Sequence, residues 1–399
     1  MSQHLNSQNA SEGRPSGRPS RRTRRNKTER SAQPVPPGRP PDVPRFGARN
    51  ETRGARRSHP PAVATTTRVS TGILIVCILA LVASAGGSAS AQSRAGSTSV
   101  AVATMRAQKD FAGLVDVGGG RQIWASCRGH GSPTVVLLSG HGNGAEDWSL
   151  ILAPNDPAHQ APGDDVSAGL GKIVPSNKAV YPSVARFARV CTYDRPDIRT
   201  GNDVTTPRQQ PHPVNLDVSD LHSLLHAIDE PGPYVLVSHS YGGLISTLFA
   251  RTYPKSIAGL VMVDTVSEVM EKLVSPAAIE WWDATNAATN DKVQEGVMLK
   301  NAFAQINAAP PMPKVPALVL VTDKPWRTDL IPPEAIQGDT VTFADWQAMV
   351  NELGANLGAT TITKTDSGHN IYLYNPALVT HSIHKIVDDV RTHRTATAG

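Results

Sequence analysis

Residues Val235-Leu236-Val237-Ser238-His239-Ser240-Tyr241-Gly242-Gly243 constrain this chain more than any other stretch. An apolar run stops at a serine, and glycines and a helix-like segment follow at once. A strand that turns this sharply into a helix holds Ser240 at its apex, with the hydroxyl directed into a cleft. Small flanking residues are required because the serine backbone is strained and its neighbours pack close. Ser238 stands where a first glycine is usual, and Gly242 is the second small residue.

The 399 residues divide by composition into three parts. Residues 1–68 hold fourteen Arg and one Lys against four acids, a net charge of +11, which leaves −6 for the remainder of a chain of net +5. Pro, Ser, Arg and Gly dominate this tail, and such a segment buries too little apolar surface to offset its ordering entropy, so it is expected to be disordered. Residues 69–91 follow with an apolar core, Gly72–Ala85, a basic flank at Arg68 and the small-residue run Ala89-Ser90-Ala91. That pattern matches a secretory signal peptide. An uncleaved signal anchor is the alternative, with its basic side cytoplasmic, although the strongly apolar run is shorter than the roughly 20 residues of a spanning helix. Either reading exports the domain that follows, to be secreted or held on the outer face of the cytoplasmic membrane. The long stretch before the signal leaves the true start open, and Val63 or Val69 is an alternative, since no Met lies between Met1 and Met105. Residues 107–392 have globular composition and the size of one α/β domain.

Within that domain short apolar runs alternate with helical periodicity. The expected strands are Gln122–Cys127, Thr134–Leu138, Arg189–Tyr193, Tyr234–Val237, Gly259–Val263, Ala317–Val321 and Thr360–Thr363. The expected helices are Val218–Ile228, Leu244–Tyr253, Phe343–Leu357 and Pro376–Thr392. Alternation of this kind predicts a mostly parallel sheet covered by helices on both faces. Its chemistry gathers beyond the carboxyl ends of the strands, where Ser240, His141, Asp264 and Asp323 all fall.

A serine hydroxyl is a weak nucleophile near neutral pH and needs a base, itself oriented by an acid. The base is expected after the serine in sequence. His369, in Asp366-Ser367-Gly368-His369-Asn370, follows the last strand and precedes the last helix. Two acids compete to orient it. Asp264 ends the run Leu260–Val263, and Asp323 lies two residues past the run Leu318–Val321. The reading leans to Asp264 and leaves both open. Acyl transfer also needs donors for a developing oxyanion. The backbone N–H of Tyr241 is one candidate. The other comes from the loop Ser139-Gly140-His141-Gly142-Asn143-Gly144, whose glycines permit close backbone approach.

By these motifs, residues 107–392 resemble the serine α/β-hydrolase family. The family's strand before the oxyanion loop ends in His-Gly, with a Trp eight residues past the Gly. Gly140 and Trp148 keep that spacing, while Ser139 replaces the histidine. The resemblance makes His141 the second oxyanion donor, with Gly142 and Asn143 as alternatives. It matches Tyr193-Asp194-Arg195-Pro196-Asp197 to a family segment whose fifth residue is glycine, so that loop is expected to differ. It implies an α/β-hydrolase fold with a helical cap insertion at about 265–315. Apolar residues there, Ile279, Trp281, Trp282, Val293, Val297, Met298 and Leu299, would either line a pocket or pack the cap onto the core. A further insertion of about thirty residues, rich in Asp, Pro and Gly, lies between Trp148 and Tyr181. The family's sheet order also sets the strands of Cys127 and Cys191 side by side, which implies a disulfide in an exported domain.

The function implied is hydrolysis of a carboxylic ester, or of an amide, through an acyl-enzyme on Ser240, with a small-molecule or lipid-like ester as substrate. No cofactor is expected, and no Cys/His cluster has the spacing of a metal site. Acyl transfer or perhydrolysis on the same residues is the neighbouring alternative, and a non-catalytic binding protein on this fold is another. Residues 69–91 would supply any membrane attachment. No nucleic-acid binding is expected of the folded domain, although the basic tail would suit an anionic polymer or envelope surface.

Overall fold

The computed structural model describes residues 109–290, 293–330 and 339–398, so the basic tail, the apolar segment 69–91 and Cys77 lie outside the described residues. Ten strands and eight α-helices are described. The strands are β1 Phe111–Gly118, β2 Arg121–Arg128, β3 Val135–Leu138, β4 Leu150–Leu152, β5 Ile173–Pro175, β6 Val190–Tyr193, β7 Tyr234–His239, β8 Ile257–Val263, β9 Ala317–Leu320 and β10 Thr360–Ile362. The helices are α1 Val180–Val184, α2 Val214–Ala227, α3 Gly242–Thr252, α4 Pro276–Ala287, α5 Leu299–Ala308, α6 Phe343–Leu357, α7 Ile371–Tyr374 and α8 Pro376–Ala398. Eight strands form one sheet in the order β1-β2-β6-β3-β7-β8-β9-β10, and β4 pairs with β5 separately. The pairs from β6 through β10 are parallel, while β1–β2 and β2–β6 are antiparallel. This is the α/β-hydrolase architecture that the resemblance implied.

The central strands are predominantly apolar and buried at almost every position because both faces are covered. Successive side chains go to opposite sides. Val136, Leu138, Leu236, Leu260, Met262 and Val319 enter one core with α2, α3, α5 and α6. Val135, Leu137, Val235, Val237, Val261 and Leu318 enter the other, with α1, α7 and α8. In α8 the stripe Val379, Ile383, Ile386, Val387 and Val390 repeats at three- and four-residue spacing and is wholly buried. Helix α6 starts and stops where the sequence reading puts it. Thr342 and Asp345 form a reciprocal capping box, and Gly358 closes the helix at φ 60°.

Strand β1 was not anticipated. It is an antiparallel sheet edge interrupted by Gly113, and its side chains are exposed or only half-buried. The cap region holds α4 and α5, and most of its apolar residues pack the cap onto the core. Ile279, Val297 and Leu299 are buried in the core, whereas Trp281 and Trp282 are only half-buried. Phe303 and Ile306 anchor α5 with no exposed surface, each adding about 1.5–3 kcal/mol of apolar burial.

Cys127 and Cys191 face each other across β2 and β6 and are joined as a disulfide. The bond closes 64 residues of chain, which a chain-entropy estimate values at about 4 kcal/mol. Cys127→Ala with Cys191→Ala is therefore expected to lower urea-unfolding stability by up to that amount. Unchanged stability would count against the disulfide as a structural tie.

Candidate active site

Ser240 lies between β7 and α3 with φ 51°, a left-handed conformation rare for a residue with a side chain. Three glycines permit the turn. A Cβ on Gly242 would sit 2.5 Å from Leu138 O, and one on Gly243 would sit 2.4 Å from Thr265 Cβ. One on Gly140 would be 3.0 Å from Ser240 Cβ, which places the glycine loop directly against the serine. Ser240 O accepts from Gly243 N at 2.9 Å and from Val266 N at 3.1 Å, tying the elbow to the chain beyond β8. Ser240 itself is half-buried, and its hydroxyl makes no hydrogen bond to another described residue.

The two candidate acids separate clearly. Asp264, at the end of β8, is fully buried, and its Oδ2 lies 2.7 Å from His369 Nδ1. The same oxygen accepts from Trp346 Nε1 at 2.9 Å, and Oδ1 accepts from Thr322 N at 2.9 Å. Burial pushes the Asp264 carboxyl above the ordinary carboxylate range, against the hydrogen bonds from His369, Thr322 and Trp346. Asp323 spends its carboxylate on the loop carrying the histidine, accepting from the backbone N–H groups of Thr365, Asp366 and Ser367 at 2.8–3.1 Å.

His369 is held from several sides. Its backbone N–H donates to Asp164 Oδ2 at 2.8 Å, and Asp164 is a fully buried residue of the first insertion. A Cβ on Gly368 would lie 2.0 Å from Asp164 Cγ, so this close approach requires the glycine. His239 Nε2 donates to His369 O at 3.1 Å, and the two rings lie 4.6 Å apart between centroids. Burial, reinforced by the neighbouring His369, holds His239 well below the ordinary imidazole value, so it stays neutral. Trp346 meets the His369 ring edge-on at 5.1 Å. His239, the residue before Ser240, thus lies directly against His369.

The glycine loop is fixed just as closely. Asp194 Oδ1 accepts from Ala145 N at 2.7 Å. Arg195 donates to Ser139 O at 2.8 Å and Gly140 O at 2.6 Å, and its guanidinium lies 5.2 Å from the Tyr241 ring centre. Asp197, where the family has glycine, adopts φ 64°, a left-handed conformation that Asp tolerates. His141 Nε2 lies 2.9 Å from Glu295 O and Nδ1 3.2 Å from Asn286 Oδ1, both residues of the cap region. Tyr241 buries its ring and donates its hydroxyl to Asp217 Oδ2 at 2.6 Å, while its backbone N–H meets no acceptor among the described residues.

The sequence reading missed Asp164, Glu295, Trp346 and His239. Only His239 had a usable signal, its place inside the elbow motif. Cys127, Cys191 and Glu230 cluster closely enough to suggest metal ligands, but the sulfurs are bonded together and Glu230 pairs with Arg189. No helix of the described residues is long and apolar enough to cross a membrane.

A profile described as the alpha/beta hydrolase family matches residues 126–381. An uncharacterized protein of Schizosaccharomyces pombe is 34% identical over 88 residues, 22% of this chain and 16% of that protein. The uncharacterized protein YqjL of Bacillus subtilis is 28% identical over 137 residues, 34% of this chain and 41% of YqjL. The chain therefore spans less than half the length of these curated relatives. Among solved structures it is similar to a thermophilic esterase from Thermogutta terrifontis, at 17% identity and TM-score 0.40 over 71% of this chain and 99% of that one. It is also similar to the thioesterase domain of the curacin biosynthetic pathway, at 14% identity and TM-score 0.41 over 69% of this chain and 100% of that one.

Proposed function

The chain belongs to the alpha/beta hydrolase family, and from that premise we propose that it is a serine hydrolase that cleaves a carboxylic ester through an acyl-enzyme on Ser240. One observation carries the reading: the buried Asp264 carboxylate engages His369 Nδ1 at 2.7 Å, beside the strained turn that presents Ser240.

A carboxylate on Nδ1 selects the neutral imidazole tautomer with its proton there, which leaves the lone pair on Nε2. Nε2 takes the Ser240 proton as Oγ attacks the ester carbonyl. The N–H groups of Tyr241 and His141 hold the oxyanion that forms. Asp264 keeps the ring oriented and stabilises the imidazolium without taking its proton. His369 returns that proton to the leaving alcohol, then activates a water that releases the acid and frees Ser240. Asp323 serves this cycle as an anchor of the His369 loop. As part of the same proposal, the Cys127–Cys191 disulfide supports an exported domain.

A fluorophosphonate probe is expected to modify Ser240 alone, located by peptide mass spectrometry. A series of p-nitrophenyl esters of rising chain length should then be hydrolysed with a defined acyl preference. Absence of both labelling and turnover would leave a binding protein on this fold.

A further inference from the structure

We propose that the buried Arg195–Glu295 pair is the positioning device of the oxyanion loop, and that the cap segment around Glu295 is therefore part of the catalytic apparatus. This rests on the serine-hydrolase reading above. Arg195 Nε lies 2.6 Å from Glu295 Oε1, and Nη2 lies 3.0 Å from Oε2. Both residues are almost completely buried, at 2% and 1% exposure. Burial works against the Arg195 charge, but Glu295, together with Tyr193 and Asp217, holds the guanidinium above its ordinary value.

An ion pair this deep is a poor way to gain stability, because desolvation offsets much of the attraction. Its geometry serves another purpose. The same guanidinium donates to Ser139 O and Gly140 O, and the same carboxylate accepts from Gly142 N at 2.8 Å. Gly140 C=O and His141 N–H belong to one planar trans peptide and point in opposite directions. Pinning the Gly140 oxygen on Arg195 therefore fixes the direction of the His141 N–H, the proposed oxyanion donor. Glu295 pins the next peptide through Gly142 N, and its own carbonyl oxygen meets the His141 ring. Lys cannot replace the arginine, since an ammonium lacks the rigid fork that reaches two carbonyls and a carboxylate together.

The test compares the full chain with Arg195→Met/Glu295→Met and with Arg195→Lys, using a p-nitrophenyl ester, fluorophosphonate labelling and thermal melting. The double variant replaces the pair by apolar side chains, a change that folds commonly tolerate. It is expected to fold but to melt below the wild type, because Ser139 O, Gly140 O and Gly142 N lose their partners, while kcat falls by about 100-fold, the scale of losing one oxyanion donor. KM should stay within about threefold, because the lost interaction forms only in the transition state. Arg195→Lys keeps the charge and should also fold, with kcat down by about tenfold or more. Folded variants with kcat within about threefold of wild type would overturn the inference, as would failure of both variants to fold, which would make the pair a stability element. A wild type with no Ser240-dependent labelling or turnover would instead overturn the hydrolase reading itself.

Discussion

Ser240→Ala is expected to lower kcat on the preferred p-nitrophenyl ester by about a million-fold, on the scale seen when a serine nucleophile is removed from an oriented triad. The loss will be chemical and not structural. The Ser240 hydroxyl makes no hydrogen bond to a described residue, so its removal leaves no buried partner unsatisfied. Alanine also places the same Cβ at φ 51°, so the strain of the elbow is unchanged. Melting temperature should stay near that of the wild type, and residual turnover should reflect only the oxyanion donors and substrate binding. Burst kinetics measure this directly, because an acyl-enzyme on Ser240 gives a stoichiometric first turnover that the variant lacks. A folded variant within about tenfold of wild-type kcat would place the nucleophile elsewhere.

Asp264→Asn is expected to cost about ten-thousand-fold in kcat, while Asp323→Asn acts mainly on stability. An amide N–H facing His369 Nδ1 favours the opposite tautomer, with a proton on Nε2 where a lone pair is needed. The electrostatic sign differs from that of a stabilising surface aspartate. Burial raises the Asp264 carboxyl above its unfolded value, so its favourable contribution belongs to acid pH and is lost as pH rises through the folded value. Removing the charge at neutral pH therefore relieves a cost, although Trp346 loses its acceptor, and little net change in melting is expected. Asp323→Asn disturbs the acceptors for Thr365, Asp366 and Ser367, which should cost about 1–3 kcal/mol and lower kcat only as far as the His369 loop shifts. Equal kcat losses in the two folded variants would contradict the division of roles proposed here.

Both acids end strands, so the choice between them was open from sequence, which carries no record of which oxygen reaches a ring 105 or 46 positions away. The motifs that were legible have local causes. Small residues around Ser240 relieve a strained turn, Thr342 and Gly358 bound a helix by satisfying its ends, and β3, buried on both faces, reads as an unbroken apolar run. Strand β1 was missed because its pattern is not strongly apolar, and pairing along one side only did not demand that it be.

The resemblance to the family implied the pairing of Cys127 with Cys191, and the sequence alone marked the alternation of strands and helices, the elbow serine and the histidine that follows the last strand. Those depend on short-range geometry, where residue type and spacing carry the physics. The tertiary structure decided that Asp264 meets His369, that Asp323 anchors the loop instead, and that each insertion sends a buried carboxylate to the site. Asp164 reaches the backbone of His369 across 205 positions, and Glu295 reaches Arg195 across 100. An acidic residue in a loop looks the same whether solvated or buried, and only packing that removes water and supplies donors makes the difference.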